Sequence, residues 1–99
     1  MKIPRAVTKL RTELKRLYGE RLRRVVLYGS YARGEQDAGS DIDVAVVLAG
    51  EVHAGREIDR MLDAVQEVNL AFDTLVSIYP VSEDEYNTLR SPLLINLRR

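Results

Sequence analysis

Asp41 and Asp43 stand two apart in Ser40-Asp41-Ile42-Asp43-Val44, where a Val-rich apolar run begins. Residues two apart on a strand share a face and lie about 6.6 Å apart along it. Both carboxylates therefore face together, and Ile42 turns the other way, into a core. Like charges side by side in an apolar strand are unfavourable unless something cationic sits between them. A hard divalent ion with oxygen ligands fits such a pair, Mg²⁺ with bound phosphate being the usual case. A strand edge where both carboxylates simply meet water is the competing reading of a lone Asp-x-Asp, because short motifs often match by chance.

Upstream, Val25-Val26-Leu27-Tyr28 runs into Gly29-Ser30. Glycine after a strand lets backbone approach a phosphate, and the serine hydroxyl adds a donor beside free N–H groups. An ordinary strand-ending turn has the same two residues. Arg33 can reach a phosphate as a forked donor, or hold its own loop by pairing with Asp37 or Asp41. Asp73 is the third acid, embedded in the apolar stretch Leu70-Ala71-Phe72-Asp73-Thr74-Leu75-Val76. An aspartate in a strand needs a reason. Beside Asp41 and Asp43 on a neighbouring strand it completes a three-carboxylate cluster; alone, it also fits an edge or loop near a strand start.

The elements that must position these groups follow from periodicity. Ile3, Val7, Leu10, Leu14 and Leu17 recur at helical spacing, with Gly19 at the helix end. Val25 to Tyr28 predicts a first strand and Ile42 to Leu48 a second. Gly50 and Gly55 flank a predicted loop that holds His53, read as a solvated residue. Ile58, Met61, Leu62, Val65 and Val68 mark a second amphipathic helix, with Met61 in the core. Phe72 to Tyr79 predicts a third strand, stopped by Pro80. Ser82-Glu83-Asp84-Glu85 fits a capping box that opens a third helix. Ser91-Pro92 opens a fourth, with proline at its first turn. The order α-β-β-α-β-α-α gives an α/β (α+β) class: a mixed sheet of three or more strands with helices packed on it. Residues 1–99 form a single domain.

The order of strand, Gly-Ser, ten residues, Asp-x-Asp and a third apolar strand with one aspartate resembles the palm of the polymerase-beta-like nucleotidyltransferase superfamily. It is most similar to the minimal nucleotidyltransferase (MNT) group. Val76 to Tyr86 and Ser91 to Arg99 resemble that group's C-terminal half, so the likeness runs from about residue 23 to the end; many relatives continue a few residues past the equivalent of Arg99. The resemblance implies that Gly29 and Ser30 hold the β- and γ-phosphates of a nucleoside triphosphate, with Arg33 and Ser40 also on the nucleotide. It implies that Asp41 and Asp43 bind two Mg²⁺ ions, and that Asp73 binds the catalytic metal and helps deprotonate the acceptor. Two metals about 3.5–4 Å apart stabilise both the attacking and the leaving oxygen of an in-line displacement, and nucleotidyl transfer relies mainly on positioning and charge.

Members of that group often pair with helical, ribonuclease-type HEPN toxins and transfer AMP from ATP to a toxin tyrosine. The expected function is therefore an ATP-dependent protein adenylyltransferase acting as an antitoxin. An antitoxin that masks its partner without catalysis is the alternative, and a small-molecule nucleotidyltransferase ranks below it. Leu93, Leu94, Ile95 and Leu97 form an apolar stretch that suits a partner or dimer contact, or a last helix packed on the sheet.

Composition narrows the field. Residues 1–34 carry ten Lys/Arg against two Glu, and residues 35–99 carry five against thirteen Asp/Glu, so the net charge is zero. That balance, and the short chain, argue against a nucleic-acid channel. The absence of cysteine excludes a disulfide scaffold, a thiolate zinc site and a cysteine nucleophile. The longest apolar run, Val44 to Ala49, is far short of the ~18 residues of a membrane span, and no apolar leader is visible; the expectation is a cytoplasmic protein. Tyr18, Tyr28 and Tyr31 suit either base stacking or packing, and Arg21, Arg23 and Arg24 either the phosphates or a solvated strand end.

Overall fold

Alternation and helical period translate directly into layers. The computed structural model describes residues 4–28 and 42–88. Helix α1 spans Arg5–Tyr18 and is followed by a 3₁₀ turn, Gly19–Arg21. Strand β1 is Leu22–Tyr28 and β2 is Ile42–Leu48. Helix α2 spans Ala54–Phe72, β3 is Val76–Ser82, and a short α3 covers Glu83–Thr88. The sheet order is β1-β2-β3, with β1 antiparallel and β3 parallel to the central β2. The expected class, a small α+β unit with a mixed sheet, is what forms.

Burial follows the pleat. Ile42, Val44, Val46 and Leu48 point to one face of β2 and pack under α1 and α2, against Leu10, Leu14, Met61, Val65 and Val68. Val47 points to the other face and meets Tyr86 of α3, flanked by Val26 and Val81. Burial of both faces explains why β2 reads as an almost unbroken apolar run.

Several boundaries differ from the sequence expectation, among them the start of β1, at Leu22 and not Val25. Helix α2 begins at Ala54, so Gly55 lies inside it, and it runs to Phe72. Its buried stripe is Glu57, Met61, Val65 and Val68, while Ile58 and Leu62 are exposed. Strand β3 therefore starts at Val76, not Phe72, and continues through Pro80 to Ser82. Proline is tolerated there because β3 is an edge strand among the described residues, and a residue without an N–H fits where that group would face outward. The predicted cap is in place: the Glu85 N–H donates to Ser82 Oγ at 3.0 Å. On α1 the exposed Leu17 gives way to the buried Tyr18. The helix expected from Ser91-Pro92 and the apolar Leu93, Leu94, Ile95 and Leu97 lie outside the described residues.

Candidate active site

Asp43 is the second residue of the central strand. It stands opposite Tyr28, the last residue of β1, and opposite Ser77 of β3. Its neighbour Ile42 is buried in the core under the helices, so the Asp43 carboxylate rises from the other face of the sheet, where it is half-buried. The predicted division of labour within Asp-x-Asp is thus met for its second half. The C-terminal end of β1 and the N-terminal ends of β2 and β3 converge here. Gly29, Ser30, Arg33, Ser40 and Asp41 lie outside the described residues. In the sequence, Gly29 follows directly on β1 and Asp41 directly precedes β2.

Asp73 reaches the same end by a different route. It is not in a strand: it caps α2 in the left-handed conformation, φ 49° and ψ 52°, and is exposed. Aspartate is among the few residues that visit this region routinely. The Asp73 and Thr74 N–H groups both turn back to the Asn69 carbonyl, and Asn69 Oδ1 accepts from the Val76 N–H at 2.9 Å. One side chain thereby ties the helix end to the start of β3. The β3 residue that faces Asp43 across the ladder is Ser77. Among the described residues, no group of three acids or histidines is gathered as a metal-binding cluster; Asp41 is not among those residues.

The basic residues just before and at the start of β1 serve the opposite end of the strand. Arg21 Nε donates to the Ala49 carbonyl and its Nη2 to that of Glu51. Arg23 pairs with Glu83 at 3.6 Å, and Arg24 lies over the Tyr86 ring. Leu22 and Tyr28 are roughly 20 Å apart along the strand. The described contacts thus support a structural role for these arginines, away from the Asp43 end. His53 is exposed and meets Glu51, as expected of a solvated residue.

Sequence reasoning missed one buried polar cluster. Glu57 is 3% exposed on the core stripe of α2. The Tyr18 hydroxyl donates to Glu57 Oε1 at 2.7 Å, and Arg60 approaches the same oxygen at 3.8 Å. Arg21 and Arg60 both stack near the Tyr18 ring. Burial, then the bond to Glu57, pushes the Tyr18 phenol well above its ordinary range. The signal was present as Glu57, four residues before Met61. The cluster lies between α1 and α2 and is structural.

A model of the nucleotidyltransferase domain matches residues 7–92. The chain belongs to that family. Two proteins of Methanocaldococcus jannaschii, each named "putative protein adenylyltransferase", are similar to it. One is 31% identical over 77 residues, covering 78% of this chain and 77% of the relative. The other is 30% identical over 83 residues, covering 84% and 77%. A crystal structure from Sulfolobus solfataricus, described as a putative nucleotidyltransferase, superimposes with a TM-score of 0.61 at 21% identity, covering 84% of this chain and 75% of that one. It supports the fold. The chain is accordingly a nucleotidyltransferase, a transferase enzyme. Enzymes of this domain family generally use a nucleoside triphosphate and a divalent metal.

The described donors suit such a metal. Asp43 offers a carboxylate, the hard oxygen donor such a metal takes, on the central strand with the Ser77 position beside it. No described helix is long and apolar enough to cross a membrane.

Proposed function

We propose that this nucleotidyltransferase transfers AMP from ATP to a tyrosine hydroxyl of a partner protein of the HEPN toxin type, and so acts as an antitoxin. The observation that carries this reading is Asp43 on the central strand, beside the last residue of β1, after which the sequence continues with Gly29-Ser30. The naming of two relatives as protein adenylyltransferases supports a protein as the acceptor.

Asp41 and Asp43 hold Mg²⁺, with Asp73 contributing from the helix–strand turn. Gly29, Ser30, Arg33 and Ser40 hold the triphosphate. When bound, the metal neutralises charge on the reacting phosphate. The acceptor oxygen bonds to the α-phosphorus, the bond from that phosphorus to the bridging oxygen breaks, and pyrophosphate leaves with the electron pair. The acceptor proton passes to a site carboxylate and then to water.

Intact-mass spectrometry of the chain with whatever co-purifies from its native cells, before and after Mg-ATP, tests the reading. The expected result is a gain of one or more AMP masses on a partner, absent with Asp43→Asn. A stable partner that never gains mass and is still neutralised by Asp43→Asn would identify masking instead. Modification of a small metabolite alone would move the chain to the small-molecule class.

A further inference from the structure

We propose that the outer edge of β1 is a docking strip for an extended, acidic segment of a partner protein, which adds a strand to the sheet. The inference stands apart from the transfer reading and needs no part of it. Among the described residues β1 pairs on one side only, with β2. An edge strand turns every second N–H and C=O outward, ready to pair with backbone laid along them. The side chains agree. Leu22, Val25, Val26 and Leu27 are half-buried, whereas Val44 to Leu48 of β2 are buried throughout.

A groove runs beside that edge. One hollow, about 320 Å³, lies between Arg11 and Lys15 of α1 and Leu22 to Val26 of β1. A second, about 370 Å³, carries it on between Val7, Thr8 and Arg11 and Arg24 to Leu27. Helix and strand therefore run side by side in opposite directions. Arg24 stays over the Tyr86 ring and Arg23 beside Glu83. Arg11 and Lys15 are exposed and make no hydrogen bond or ion pair among the described residues. They stand one turn apart, about 6 Å along the helix. Side chains on one face of a strand repeat at about 6.6 Å. An added strand with acids at alternate positions thus meets both cations in register. Val25 and Leu27 pack against the core under α1, so the acids belong on that face. A second copy fits poorly, because joining two such borders brings like charges together. A nucleic acid offers phosphate acceptors but no donors for the carbonyls of the edge.

The test uses the full chain and a fluorescent seven-residue peptide, as long as β1, with glutamate at alternate positions and valine or threonine between. Anisotropy reads its binding, and amide hydrogen exchange reads where it sits. The peptide should bind and should slow exchange along β1 but not along β3. Its fully N-methylated analogue, which keeps the charges and lacks the donors, should not bind. The double variant Arg11→Glu, Lys15→Glu should weaken the peptide about tenfold. The same variant should bind the lysine counterpart of the peptide better than the wild type does, which also shows that it folds. Absence of binding to the wild type at millimolar peptide overturns the proposal. So does equal binding of the N-methylated analogue, or undiminished binding to the double variant. Tighter binding of an oligothymidylate of equal charge would overturn it in favour of nucleic acid. A chain that is dimeric without peptide, and monomeric as the double variant, would overturn it in favour of a second copy. No readout here involves ATP, so failure is separate from that of the transfer reaction, which Asp43→Asn reports.

Discussion

Two aspartates at the same end of the sheet sit in unlike settings. Asp43 is held on a central strand, half-buried, with a ladder partner on each side. Asp73 is exposed on a turn, and its backbone already has a structural task as the left-handed cap of α2. The two should respond differently to loss of charge. Asparagine suits the left-handed region as well as aspartate does, so Asp73→Asn should leave the melting temperature unchanged. Asp43→Asn should lower transfer by more than about 10²-fold, the scale of losing a preorganised charge contact, and Asp73→Asn should lower it less. Single-turnover transfer from labelled ATP measures both. Equal losses would mean that Asp73 belongs at the metal as fully as Asp43, with the turn held against the site. The sequence located Asp73 beside the right strand but could not show that it precedes that strand. Leu70, Phe72, Leu75 and Val76 keep the apolar pattern going across the helix end, which leaves no break in hydropathy to mark the turn.

Elements that bury both faces, or one clean stripe, were readable; junctions were not. β2 has the bounds expected from its apolar run, since burial on both sides forces that composition. In α2 the apolar count favoured Ile58 and Leu62, yet the core stripe runs through Glu57, whose charge is satisfied by Tyr18 and Arg60. Helical spacing puts Glu57 on the Met61 stripe, but only tertiary contact makes a buried glutamate tolerable, so that spacing alone could not settle its burial. That contact links α1 to α2 and is testable. Tyr18→Phe removes the donor and leaves a buried carboxylate short of a partner, costing about 1–3 kcal/mol. The native state also holds the Tyr18 proton more tightly than the unfolded chain does. The unfolded chain therefore loses it first as pH rises. This contribution is complete below about pH 10 and is lost progressively above it. Thermal melts from pH 7 to 11 should show the wild type losing stability in that alkaline window, and the Phe variant losing less. An identical pH dependence in both would show that the Tyr18–Glu57 bond does not govern it.

The chain's Cα radius of gyration is 13.0 Å, as a compact fold of this length requires. A core this small leaves little margin, so ligand linkage should be visible in the melt. At 100 times its Kd, Mg-ATP should add about 2.7 kcal/mol, and each kcal/mol is worth roughly 4–8 °C in a domain of this size. Differential scanning fluorimetry with Mg-ATP, ATP alone and Mg²⁺ alone should give the largest rise with the pair. No rise at saturating Mg-ATP would show that the isolated chain does not assemble the nucleotide site.

Pro80 has a bearing on how any protein can approach this one. It interrupts the outward row of N–H donors along β3. A foreign strand laid along that border would meet a missing rung halfway, the kind of obstacle that keeps sheets from zipping into one another. A visiting chain cannot therefore extend the sheet there at full strength. Among the described residues, this border of the sheet therefore suits a partner that packs side chains against it better than one that adds a strand of backbone.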